Sequence, residues 1–309
     1  MPPIELCIEK MCHNAITRLA TLLRKHPLHA PVKKSIKVSV KRHHSPLHTL
    51  TSIFGTDSRK FKKILPVCTY PSKRSSQAMW IDIPANKDDS KRADTNTTEE
   101  IKDYSDSSAH SSKVSAAATL RQEGKPDCTL KFHLGTTAQH TVYKAELMGM
   151  ILGLHLIKTE RQGTVQCMLN VDNQAALVII KLKMTKSRQH LADDLHQIAS
   201  KLHKHRGNNR FRLTFRWTAR HVGINGNEEA DKLAKDTADG RSSAKEALSV
   251  CLHNKIGYSL TAVQQAHNEK LKHRWAASWT SLPRYLHSQY QCHDPSHGGS
   301  YMVEGCWRH

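Results

Sequence analysis

The sequence predicts an α/β fold, and three observations carry that reading. Three short runs with strand character come first, at 101–106, 113–121 and 128–134. Helical and strand patterns then alternate from about residue 139 to about residue 238. Acidic residues also fall at strand ends and inside an apolar helix, where packing alone does not call for them. Leading strands followed by helix–strand alternation imply a mixed sheet with helices on both faces.

The elements follow in order. The third run sets Cys128, Leu130, Phe132 and Leu134 against polar neighbours, the period-two pattern of a half-buried strand. The stretch 139–159 is apolar nearly all round, which predicts a helix buried on most sides. Gly149 and Gly153, four apart, allow that helix to approach a sheet closely. A fourth strand, 165–171, leads into a helix at 173–182. An amphipathic helix at 189–205 places Leu191, Leu195, Ile198 and Leu202 at helical spacing. A fifth strand alternates Phe211, Leu213, Phe215 and Trp217. A glycine-containing loop, His221–Gly226, precedes a last helix to about Ala238.

Three segments are expected. Residues 1–99 are basic and rich in proline and serine, and read as mostly irregular, with one amphipathic helix at Ile16–Leu23. Residues 88–100 are almost purely polar and read as a linker. Residues 100–240 form the globular domain. Residues 241–309 carry one helix, Thr261–Trp279, and a loose tail rich in His, Gly and Ser.

The chain of 309 residues holds 47 Lys+Arg against 27 Asp+Glu, a net charge of +20. That balance points to an acidic partner, nucleic acid before an anionic membrane surface. No apolar run is long enough for a transmembrane helix, and the N-terminus does not read as a secretory signal. Eight cysteines, scattered and without a Cys-x-x-Cys pair, fit a reducing compartment. An intracellular, non-secreted protein is therefore expected, in cytoplasm or nucleus.

The candidate site is made of acids. Glu146 shares a helical stripe with Val142, Ala145, Gly149, Leu152 and Leu156. An ionised carboxylate there is expensive unless it pairs with a base or binds metal. Asp172 ends a strand and precedes a helix, where an N-cap is the favoured explanation of that residue taken alone. Asp106 is followed by two serines, ordinary turn chemistry. Asp231 lies ten residues after His221, near a helix start whose dipole favours acids. His221 is one of 22 histidines, so alone it says little. Their order is more informative than any member: strand-end Asp, central-helix Glu, strand-end Asp, then His and Asp. An acid set within a basic chain suggests divalent metal chemistry on a polyanion.

Five stretches carry a resemblance. They are Tyr104-Ser-Asp-Ser-Ser-Ala-His110, Phe132-His-Leu-Gly-Thr136, His140-Thr-Val-Tyr-Lys-Ala-Glu-Leu147, Val171-Asp-Asn-Gln-Ala-Ala-Leu177 and Trp217-Thr-Ala-Arg-His-Val-Gly-Ile-Asn-Gly-Asn-Glu-Glu-Ala-Asp231. Over about residues 100–240 the chain resembles the type 1 ribonuclease H domain, as found in fungal non-LTR (LINE-type) retrotransposon polyproteins. The resemblance implies a ribonuclease H-like three-layer fold with a five-stranded mixed sheet. It implies endonucleolytic hydrolysis of the RNA strand in RNA–DNA hybrids. By matching position, Asp106, Glu146, Asp172 and Asp231 would be metal ligands for two Mg²⁺ ions, with Mn²⁺ as a substitute. His221 would be a mobile general acid/base. The expected partners are an RNA–DNA hybrid and, preceding the domain, the reverse transcriptase of a parent polyprotein.

Phosphodiester hydrolysis needs an activated water and a stabilised leaving oxygen, and two ions about 4 Å apart supply both. Several positions depart from the family pattern. Ser107 and Ser115 replace glycines, Asp103 replaces an apolar strand residue, Lys144 stands where an acid is common, and Arg220 replaces a glycine before His221. These departures keep a second reading open: a nucleic-acid-binding remnant that retains the fold and has lost turnover. Cys292, Cys306, His297 and His309 match no common zinc-finger spacing.

Overall fold

A computed structural model describes residues 2–37, 45–54, 59–61, 63, 79–96, 100–160, 166–181, 189–206, 211–253 and 256–281. The chain divides into two compact units, one of residues 1–65 and 257–309, the other of residues 66–256.

The second unit is built on a six-stranded sheet of order β1-β6-β5-β2-β3-β4. Its strands are β1 Trp80–Asp82, β2 Ile101–His110, β3 Lys113–Gln122, β4 Cys128–Thr136, β5 Gln166–Val171 and β6 Arg212–Trp217. β2, β3 and β4 run antiparallel in sequence, whereas β5 pairs parallel with both β2 and β6. The five expected strands are present. The sixth, β1, adds parallel to the outer side of β6 (Trp80 opposite Thr214, Asp82 opposite Arg216). Asp82 accepts a 2.7 Å hydrogen bond from Arg216. Arg212 lies over the Trp80 ring.

The strand holding Asp106 is longer than the sequence suggests. β2 runs on to His110 and turns through Ser111 and Ser112, both in the left-handed region at φ 49° and 60°. Two such residues make the tight hairpin loop that matches strand twist, normally built from Asn-Gly. Asp106 therefore sits within a ladder, opposite Ala117, and not in a turn.

The helices of this unit are α4 Lys87–Thr95, α5 Val142–Thr159, α6 Gln174–Lys181, α7 Gln189–Arg206 and α8 Asn225–Thr237. Helix α5 starts on a Thr141 cap that accepts from the Lys144 amide. It then buries Leu147, Met150, Ile151, Leu154 and Ile157 completely, as expected for a helix apolar nearly all round. Its glycines make contact possible: a Cβ at Gly149 would lie 3.2 Å from the Asp106 carbonyl oxygen. Successive residues of β2 point to opposite faces. Asp103 and Ser105 meet α5, while Tyr104 packs on Ile224 and Ala230 of the α8 region. Ser115, buried on β3, donates its hydroxyl to the Ala234 carbonyl at 2.5 Å. Helices thus cover both faces.

On the outer side of β4, Ser242 accepts from the His133 amide and Ser243 both accepts from and donates to the Lys131 backbone.

The first hundred residues, expected to be mostly irregular, hold regular elements among the described residues. Besides β1 and α4, they hold α1 Ile4–Ala20, α2 His29–Lys37 and α3 Pro46–Phe54. The stretch read as a linker holds all but the first residue of α4, whose N-cap Asn86 accepts from the Asp89 amide through its side chain. In the first unit α1 packs with α9, Leu260–Thr280. Leu6 joins Leu271 and Trp275 in a small core. The His13 ring stacks on His267, and Glu9 pairs with Arg274 at 2.7 Å. The cysteines and histidines at 292–309 lie outside the described residues.

Candidate metal centre

Three of the four expected acids converge. Asp106 comes from β2, Glu146 from the second turn of α5, and Asp172 from the residue after β5. One carboxylate oxygen from each lies within 4.8 Å of the others, and all three residues are buried. Parallel pairing of β2 with β5, Ser105 opposite Val171, is what brings the first and third together. The close approach at Gly149 brings Glu146 down onto them.

The loop beyond β6 is tied into this arrangement by named bonds. The Thr218 amide donates to the Val171 carbonyl at 2.9 Å, and its hydroxyl donates to Asn170 Oδ1 at 3.1 Å. Asn170 in turn donates to the Asp103 carbonyl. The Trp217 indole donates to the Asp172 carbonyl at 3.0 Å. The Ala219 amide donates to Ser90 Oγ at 2.9 Å, so α4 holds the same loop from outside. Residue 220 is the next in line.

Arg220 spans the cluster. Its guanidinium hydrogen-bonds Asp172 and lies 3.3 Å from Asp106 and 3.5 Å from Glu146. The sequence marks Arg220 only as a departure from the family pattern, and nothing local in it signals this contact with the acids. The Asp172 bond is the leading reason the guanidinium is held still more firmly charged than usual.

One arginine does not satisfy three acids. Glu146 Oε2 and Asp172 Oδ1 are buried without a hydrogen-bond partner. Burial, then the charges of Asp172 and Glu146, push Asp106 up to about 8. Burial, then Asp172, pushes Glu146 up to about 7. Hard carboxylate oxygens in a tight group are the donor set that Mg²⁺ or Mn²⁺ prefers, and buried unpartnered oxygens are what a cation would satisfy. The residues present therefore fit a divalent metal.

Asp231 stands apart from the trio. It lies on α8, paired with Lys235 one turn on. It shares with Asp106, Arg220 and His221 the wall of a cavity of about 320 Å³. His221 is exposed, and its backbone takes φ 56°, a left-handed conformation that non-glycine residues seldom adopt. Lys144 points its ammonium at His140 Nδ1, 3.1 Å away.

The mixed sheet, covered by helices on both faces, is a ribonuclease H-like fold. Residues 98–239 match the family model described as RNase H. Solved structures similar to this chain include RNase H1 from the halophilic archaeon Halobacterium salinarum (16% identity, TM-score 0.35), covering 46% of this chain and 98% of that one. LC11-RNase H1 in complex with an RNA/DNA hybrid is 14% identical (TM-score 0.36), over 45% of this chain and 96% of that one. The N-terminal RNase H domain of a Mycobacterium tuberculosis protein, fused to maltose-binding protein, is 20% identical (TM-score 0.33), over 44% and 96%. None of the curated proteins matches the chain. No helix among the described residues is long and apolar enough to cross a membrane.

Proposed function

We propose that this chain is a metal-dependent endonuclease that hydrolyses the RNA strand of RNA–DNA hybrids. The observation that carries the reading is the buried trio Asp106, Glu146 and Asp172, with two oxygens left without a partner inside an RNase H-matched segment. These three would hold Mg²⁺, with Mn²⁺ as a substitute, and Asp231 on the adjoining cavity wall would complete the set. The metal's contribution is to activate a water and stabilise the leaving oxygen.

The chain's own groups do the rest. Asp106 lies in the β2–β3 ladder and Asp172 follows the last paired residue of β5, so the two would set where the scissile phosphate sits. His221, exposed on the cavity wall, would exchange a proton with water or with the leaving oxygen. Lys235 on the same wall adds positive charge toward a phosphate backbone. Groups in the shallow groove of a hybrid would read the 2′-hydroxyl and so tell RNA from DNA.

A second reading is favoured by Arg220 across the acids and by the buried Asp103: a nucleic-acid-binding remnant without turnover. One experiment separates the two. A labelled hybrid is incubated with the full chain, with and without Mg²⁺, and with Asp172→Asn as control. The nuclease reading expects Mg²⁺-dependent RNA cleavage that falls at least about a hundredfold in the variant, since even outer-sphere partners of metal ligands are worth about ten- to a hundredfold. Hybrid binding without metal-dependent product would leave the remnant. We further propose that the domain comes from a LINE-type retrotransposon polyprotein, with residues 1–99 as the tail of a reverse transcriptase. A genomic locus with no reverse transcriptase frame upstream would remove that origin.

A further inference from the structure

We propose that Arg220 is a resident counter-cation of the Asp106–Glu146–Asp172 cluster and competes with the divalent metal for it, so that the chain itself sets the metal concentration at which the site fills. The proposal rests on the metal-binding reading above and adds a control to it.

The geometry has three parts. The guanidinium touches all three acids at once, a task suited to its planar fork of donors. The two residues before Arg220 are held independently of that contact, by the Ala219 amide on Ser90 and by Thr218 on Val171 and Asn170. The Arg220 side chain is half exposed at 50%, while the acids beneath are sealed. The tip can therefore leave toward the cavity without dragging the loop. The acids cannot leave, because strand pairing and the Gly149 contact hold them.

Each competitor has an advantage that the other lacks. A tethered group acts at an effective concentration on the order of millimolar. A divalent ion brings twice the charge, yet it must shed part of its water and displace a charge-assisted bond to Asp172. The fourth acid follows the same pattern, since Asp231 is paired with Lys235. An ion pair that merely stabilised the fold would predict something different: its loss would lower stability and leave metal affinity unchanged.

The test is titration calorimetry of Mg²⁺ and Mn²⁺ into the full chain without nucleic acid, for wild type, Arg220→Ala and Arg220→Lys. Thermal melts with and without metal, and circular dichroism, accompany it. Arg220→Ala is expected to bind metal about tenfold tighter, within the range of ordinary coupling between ligands. It should melt lower than wild type without metal and gain more from adding it. Arg220→Lys, a point charge without the fork, should shift affinity the same way by less, and it carries the test if the alanine variant does not fold. Equal or weaker metal affinity in the variants overturns the competition and leaves the metal reading standing. Metal binding by neither wild type nor folded variant overturns both.

Discussion

Asp103 and Asp106 lie three residues apart on one strand and are both closed off from solvent, yet their surroundings have little in common. Asp106 faces two other carboxylates and a guanidinium. Asp103 faces α5 where Gly153 passes, beside Leu169, and neither of its oxygens has a hydrogen-bond partner. Both are raised above the ordinary carboxylate range, but for Asp103 burial alone does it, whereas for Asp106 neighbouring acids add to burial. Burial of an acid is therefore not a signature of a site. Convergence of several acids with a cation is.

The comparison breaks most sharply on activity. Asp106→Asn should lower hybrid cleavage at least about a hundredfold, because it removes a proposed metal ligand. Asp103→Asn should leave cleavage within a few-fold, its only role being to sit in the core. Equal losses in a side-by-side cleavage assay would merge the two acids into one functional group.

Stability comes next. A Cβ added at Gly153 would come 2.0 Å from Asp103 Oδ2, so Gly153→Ala must push the acid or the helix aside. Overpacking of that kind costs about 1–3 kcal/mol, measurable by urea denaturation. Combined with Asp103→Ala, the penalty should shrink. An undiminished penalty would place the strain against Leu169 instead.

The smallest effect is in pH dependence. Burial raises Asp103 well above its ordinary 3.8, so the folded chain keeps a proton that the unfolded chain releases. The stability tied to that proton is present in full below the unfolded value and is lost as pH rises from there toward the raised folded value. Asp103→Asn removes this loss. Over that window its stability should fall less steeply than wild type, by up to about 1.4 kcal/mol per pH unit. Parallel curves would mean that Asp103 finds a partner in solution.

Much of the sheet was legible because its patterning is local. The alternation at Cys128–Leu134 and the apolar stretch of α5 state their own surroundings. The first helix was legible only at its end, where the expected helix Ile16–Leu23 overlaps α1 at Ile16–Ala20. Its buried stripe is Leu6, Lys10, His13, Ile16, Thr17 and Ala20, half of it polar, so no apolar period marks it. Helix α4 buries only Ser90, and its place is set by hydrogen bonds to distant residues: Ser90 to the β6 loop, Asp94 to Tyr104. A polar helix held from outside reads as a linker. In the site, order along the chain together with the family resemblance singled out Asp106, Glu146 and Asp172, although Asp106 lies within the β2 ladder and not at a strand end. The part played by Arg220 could not be read that way. It depends on how a loop is tethered, and four of its ties run to residues 90, 170, 171 and 172.

The short strand β1 and the serines at 242 and 243 have a consequence beyond the site. A sheet edge with open amides and carbonyls is a template for pairing with another chain, and the usual outcome is aggregation. Here one edge is occupied by β1 along β6, and the other, along β4, is met by Ser242 and Ser243. Both covers lie outside residues 98–239. A fragment trimmed to that span would keep all four candidate acids and bare both edges, so the family-matched segment and the sheet with its edges covered have different boundaries.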